Sequence, residues 1–187
     1  MKPLLVTLLF SGLAFAQAPA PAASVSAGMD REVSMIENNL VNAANAMPED
    51  KFNFTPESLN IPGSNFKGVY TFAGLVKHVA AVNFLLTSGA TGDKPPANVT
   101  DQKGPASMTS KAEVVQFLKD SFAAVHKAAQ GLTQENVAEL IPGLGPQKAP
   151  RVFVVSFVLA HCNDEYGQMV EYLRMNGIIP PASAPRN

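Results

Sequence analysis

The sequence predicts an all-α protein, a four-helix bundle with long crossover connections. Three observations carry that expectation. Four stretches place apolar residues on a helical period between capping and breaking residues. The connections between them are rich in Gly and Pro and too long for tight hairpins. No stretch alternates apolar and polar residues long enough to claim a sheet.

The chain opens MKPLLVTLLFSGLAFAQA. Lys2 is a short positive region, Leu4 to Phe15 an apolar run, and Ala14-Phe15-Ala16 a small-x-small cleavage pattern. Together these read as a secretory signal peptide over residues 1–16 and imply an exported protein, periplasmic or secreted. The run is about 12 residues long, short of the roughly 20 that span a bilayer. A buried N-terminal helix is the competing reading. The segment that follows, QAPAPAA, argues against it, because an Ala/Pro tether cannot hold such a helix tightly to a core. Residues 17–26 are therefore expected to be a linker and residues 27–187 a single domain.

The first helix is expected from about Ala27 to Ala46, with Met29, Val33, Ile36, Leu40, Ala43 and Ala44 as its apolar stripe and Met47-Pro48 as its end. Between it and the next helix, Phe52, Phe54 and Phe66 are expected to cover one end of the core. The second helix starts after Thr71 as N-cap and runs to Gly89 as C-cap. A loop follows, roughly Ala90 to Thr109. The third helix opens with Ser110-Lys111-Ala112-Glu113, a capping-box spacing, and ends at Gly131. Thr133 to Leu140 reads as a short helix. The fourth long helix starts near Pro150, which suits a first turn, and stops at Asn176-Gly177, before Pro180-Pro181.

Charge and composition exclude several functions. Removing the leader removes Lys2 and takes the formal net charge from −1 to −2, with Lys and Arg scattered, so no nucleic-acid or anionic-membrane surface is expected. No second long apolar run exists, so no membrane association is expected after cleavage. The single cysteine, Cys162, permits no internal disulfide and reads as a buried structural thiol. GLGP at 143–146 lacks the strand-to-helix setting and lysine of a phosphate loop. Ser156 has no legible acyl-transfer partners, and His-Glu-x-x-His is absent.

The chemistry concentrates in HCNDEYGQ at 161–168. His161 and Glu165 are four apart and share a helix face. His78 lies in apolar company on the second helix and can face them across the bundle, whereas His126 precedes Lys127 and is expected at the solvent. Two imidazoles and a carboxylate suit Zn, Fe, Ni or Mn and leave coordination positions open. The same spacing also fits a hydrogen-bonded core pair, and spacing alone does not choose between them. Gln168 is on nearly the same face as His161, and Asn83 and Tyr166 are further candidates for the cavity or its surround. Asn83 has the competing reading of a helix-surface amide, and Tyr166 that of a packing residue.

The C-terminal run HCNDEYGQMVEYLRMNGIIPPAS resembles the end of DinB-like domains, where a His-x-x-x-His helix is followed by Tyr-Gly-Gln, an apolar stretch, an Arg and a Gly-Ile-Pro-Pro close. TFAGLVKHVAAVNF resembles their second helix, with its single histidine, and MPEDKFNFTP their first inter-helix segment. The resemblance implies a four-helix bundle, often a homodimer, with a three-histidine site for a divalent metal such as Zn or Ni. It carries the metal-ligand role to His78 and His161, but puts Glu165 where the family pattern has a third histidine. A carboxylate still ligates and favours harder ions such as Mn or Fe(II). The wider superfamily implies a metal-dependent hydrolase or a thiol-dependent transferase. Export weighs against the thiol version, since low-molecular-weight thiols are kept mainly inside cells. The alternatives are a non-enzymatic metal- or ligand-binding bundle and a dimerising domain with a decayed site.

Overall fold

The computed structural model describes residues 24–143 and 145–185. The expected signal peptide lies outside the described residues, as does most of the expected linker. Four long helices form the body: α1 (Val25–Ala46), α2 (Phe72–Thr91), α3 (Lys111–Gln130) and α4 (Arg151–Met175). A hairpin of β1 (Leu140–Pro142) and β2 (Lys148–Pro150) precedes α4, and three short 3-10 turns lie at Glu49–Lys51, Pro56–Leu59 and Pro181–Ser183. The fold is the expected all-α bundle.

Its order around the bundle axis is α1, α3, α2, α4. Helices α1 and α2 each pack against both α3 and α4, while α3 and α4 barely touch. The connections α1→α2 and α3→α4 therefore cross the diagonal, while α2→α3 joins neighbours. Core side chains such as Leu40, Phe72, Leu118, Phe122, Met169 and Leu173 are fully enclosed. Helix α2 is apolar enough to pass for a membrane span, yet two-thirds of its apolar window is buried inside this bundle.

Each helix end has an identifiable reason. Ser24 Oγ accepts the Ala27 N–H at 3.1 Å, so α1 begins at Val25, two residues earlier than expected. Lys111 Nζ on α3 donates to the carbonyls of Asn45 (2.9 Å) and Met47 (2.6 Å) and closes the other end of α1. The start of α2 is held by Thr71 Oγ1 on the Gly74 N–H (2.9 Å), while the Phe72 and Ala73 N–H groups donate to the carbonyls of Phe54 and Phe52. Ser110 and Glu113 form the expected capping box, and the Ser110 bonds hold the Glu113 carboxyl below its ordinary range. Phe52 packs edge-on against Phe72 and Phe54 against Tyr172. Phe66, however, lies half-buried among Glu57, Asn60 and Ile61 instead of joining the core.

Three expectations are corrected. Helix α2 runs through Gly89 to Thr91 and stops at Gly92, whose φ of +76° gives the left-handed cap. Gly89 serves a different need: a Cβ there would lie 2.6 Å from the Pro142 carbonyl oxygen, so only glycine lets the hairpin sit on α2. The expected helix Thr133–Leu140 does not form: turns occupy residues 134–138, and Leu140 already belongs to β1. Reciprocal bonds between the Thr133 and Asn136 side chains and backbones divert it from helix, and it leads into β1. The hairpin pairs Ile141 with Ala149 in three-residue strands, too short for any alternation to be visible.

His126 is also not at the solvent. It lies half-buried on the α1/α3 seam, with Nδ1 2.5 Å from Asp30 Oδ1 and Nε2 3.0 Å from Glu37 Oε2. Partial burial pulls its pKa down, but the two carboxylates outweigh that and raise it. The His126 bond holds the Asp30 carboxyl below its ordinary range.

Two outcomes test this packing. Gly89→Ala should destabilise the fold by about 1–2 kcal/mol, because overpacking against Pro142 outweighs the helix propensity gained; the urea midpoint reads it. His126→Gln should cost roughly 1 kcal/mol near pH 6. Because the folded pKa of His126 is raised, its contribution is complete below about pH 6.5 and fades as pH rises through the folded value. The difference from wild type should therefore shrink toward pH 9 in denaturation at several pH values.

Candidate metal centre

Helix α2 runs buried between α3 and α4, and it turns His78 toward α4. On α4, the 3.6-residue repeat stacks His161 and Glu165 on the face that meets α2. The three side chains converge. His161 Nε2 lies 3.1 Å from His78 Nε2, and Glu165 Oε1 lies 3.5 Å from His78 Nε2 and 3.6 Å from His161 Nε2. A triangle of that size has a point roughly 2 Å from every corner, the bond length of Zn and its neighbours to N and O donors. The donor set fits a divalent ion.

Hydrogen bonds aim two of the three donors. The Gln102 carbonyl oxygen, which can only accept, lies 2.7 Å from His78 Nδ1. The proton of the neutral ring is therefore on Nδ1, and the Nε2 lone pair faces the other two residues. Gln168 Nε2 donates to Glu165 Oε2 at 3.1 Å, leaving Oε1 for the histidines. The third donor is aimed differently. Among the described residues, His161 Nδ1 is a buried polar atom without a hydrogen-bond partner. In the structure as it stands, the Nε2–H of His161 donates to the His78 lone pair and Nδ1 is left bare. An ion between the rings would require that proton on Nδ1 instead, which an imidazole allows by exchanging tautomers.

Electrostatics favour neutral imidazole over imidazolium at His161. Burial, with His78 adjacent, pushes its pKa down to about 4. Burial likewise raises the Glu165 carboxyl. A buried carboxyl packed against two imidazoles is an arrangement that a divalent cation would relieve. Tyr70 stacks on the His78 ring at 5.0 Å between centroids, fixing its plane. The side chain of His161 is 16% exposed, against 10% for His78 and 9% for Glu165, so the approach from solvent is on the His161 side.

The expected residues divide accordingly. His78, His161 and Glu165 come together, and Gln168 contacts the carboxylate from the exposed surface of α4. Tyr166 packs half-buried against the core, where burial raises its hydroxyl pKa. Asn83 belongs to another network: fully enclosed, it donates to Ser121 Oγ at 3.0 Å and accepts from Cys162 Sγ at 3.3 Å. It is neither a surface amide nor a wall of the centre: five positions after His78, it points into the core between Ser121 of α3 and Cys162 of α4. Cys162 is the buried thiol expected, its pKa pushed up to about 12 mainly by burial. Tyr70 and Gln102 were missed by sequence reasoning. A backbone carbonyl carries no residue-type signal, although Asp101-x-x-Gly104 is a legible turn.

With the geometry in place, comparison with known proteins decides the family. Residues 33–169 match the DinB superfamily model. The chain belongs to the DinB superfamily. The crystal structure of a DinB-like protein from Bacillus cereus ATCC 10987 has the same fold, with a TM-score of 0.61 at 17% identity over 83% of this chain and 95% of that one. No curated protein matches the chain. The His78–His161–Glu165 group of this DinB-family bundle could hold a metal ion.

The division of roles is testable at Asn83. Asn83→Ala should cost about 2–3 kcal/mol in denaturant, because it strips partners from the buried Ser121 and Cys162, while uptake of Zn or Mn stays at the wild-type level.

Proposed function

We propose that this protein is an exported divalent-metal protein of the DinB superfamily, its ion held by His78, His161 and Glu165, and that it acts as a metal-dependent hydrolase. One observation carries the metal reading: three donor atoms 3.1 to 3.6 Å apart converge in an apolar seam, two of them oriented by outer hydrogen bonds. Three protein ligands leave positions for an incoming oxygen, and an ion there supplies Lewis-acid polarisation of that oxygen or activation of a water. The residues of the chain do the rest. Gln102 and Gln168 hold the donors in place, and the apolar helix pair limits water to the His161 side. Glu165 supplies the only formal negative charge among the three donors, which favours Mn or Fe(II) over the Zn or Ni of an all-histidine set. Export rests on the sequence of residues 1–16, and N-terminal sequencing of the secreted protein should begin at Gln17.

A second reading has its own support. The three donor side chains are only 9% to 16% exposed, which leaves little room for a substrate beside them. A centre this closed suits a non-enzymatic metal-binding bundle. Turnover on a panel of ester, amide and thiol-transfer substrates separates that role from hydrolysis and from thiol-dependent transfer.

The test of the centre is elemental analysis of the untagged mature protein beside a His161→Ala/Glu165→Ala variant. Wild type should hold a stoichiometric transition metal that the variant lacks. Free ion at a hundred times Kd should stabilise wild type by about 2.7 kcal/mol and leave His78→Ala unmoved. No uptake of Zn, Ni, Mn or Fe(II) by wild type would refute the metal reading and leave a decayed site in a structural or dimerising domain.

A further inference from the structure

The connection between α2 and α3 reaches back to the centre at one point, the Gln102 carbonyl on His78 Nδ1. Its local construction is more than a loop passing by. Asp101 Oδ1 accepts the Lys103 N–H at 2.7 Å, closing an Asx turn that aims the intervening Gln102 carbonyl. Gly104 then adopts a φ of +73°, and a Cβ there would stand 3.0 Å from the Lys77 carbonyl oxygen and 3.2 Å from Lys77 Cβ. The turn is pressed directly on the residue before His78. Lys77 also grips the residues that follow the turn, its Nζ donating to the carbonyls of Pro105 (3.3 Å) and Met108 (3.5 Å). Positions 77 and 78 of one helix are thus tied to one connection, His78 to the turn through its imidazole and Lys77 to the stretch just after it through its ammonium.

We propose that the turn Asp101–Gly104 is a positioning element for the metal centre: it fixes the His78 tautomer through the Gln102 carbonyl, and Asp101, Gly104 and Lys77 are the residues that hold it there. This rests on the metal reading above. The physical reason is that an imidazole ligates through one nitrogen only when the proton is on the other, and a carbonyl at 2.7 Å makes that choice before any ion arrives. Among the described residues His161 has no such partner, and its ring can exchange tautomers. One histidine of the pair is set in advance, and the other adjusts. A turn that merely satisfied a buried polar atom would support stability and leave ion affinity alone.

Three variants of the full mature chain decide it: Asp101→Ala, which removes the Asx acceptor; Asp101→Asn, which keeps one; and Gly104→Ala, which forces the turn off Lys77. Zn(II) and Mn(II) affinities are measured by competition with a chromophoric chelator, apo stability by thermal midpoint, and ring protonation by long-range ¹⁵N NMR of the apo histidines. Asp101→Ala and Gly104→Ala should weaken ion binding by about 10- to 100-fold. Asp101→Ala should hold the apo midpoint, Asp101→Asn should bind close to wild type, and the His78 ring should change from the Nδ1–H form to a mixture in both alanine variants. Unchanged affinity in the alanine variants overturns the proposal. So does a loss of affinity that follows the apo midpoint while the His78 tautomer stays fixed, since the turn would then be structural only. Wild-type protein that binds neither ion overturns the proposed function itself and this role with it, a result distinct from the other two because it appears before any variant is made.

Discussion

Enclosure of α2 is the constraint on which the rest of the molecule depends. Twelve of its twenty residues are buried, among them a histidine, an asparagine and a threonine. A helix so enclosed cannot offer its polar groups to water, so each of them must find a partner inside the protein. His78 requires the Gln102 carbonyl and the α4 pair, Asn83 requires Ser121 of α3 and Cys162 of α4, and Thr87 bonds back to the Asn83 carbonyl at 2.7 Å. The turn at Gln102 and the α4 register each meet one of these demands. Position in the bundle and chemistry at the centre follow from the same cause.

The bundle was legible in the sequence because its signals are local. Apolar period, Ser110–Glu113 capping, Thr71 and Gly177 all act within a few residues of where they stand, and the helices fall where those signals put them. What was not legible depends on residues far away in the chain. Gly89 resembled a helix stop because the Pro142 carbonyl that requires glycine there is some fifty residues away. His126 resembled a surface residue because its neighbour Lys127 is one, while Asp30 and Glu37, its actual partners, lie on α1. Thr133–Leu140 has helical composition, and only the reciprocal Thr133–Asn136 bonds reveal otherwise.

The centre shows the same division. His161 and Glu165 are one turn apart, and their shared face could be read from spacing; His78 joined them through its apolar setting and a family resemblance. Their outer partners were half visible. Gln168 lies within the same helical repeat and was anticipated, whereas Gln102 contributes its backbone and leaves no trace in residue type. Asn83 was misplaced for a geometric reason: five positions from His78 is a rotation that turns a side chain away from His161 and Glu165, to a place between Ser121 of α3 and Cys162 of α4.

The order α1, α3, α2, α4 gives the bundle two opposite seams with strong polar clusters on them. His126 with Asp30 and Glu37 closes the α1/α3 seam, and the His78 centre closes the α2/α4 seam. They share no residue and no hydrogen-bond partner. The two halves of this barrel of helices are therefore latched separately. Loosening either leaves the other fastened, and the free energies of the two latches add as those of independent sites do.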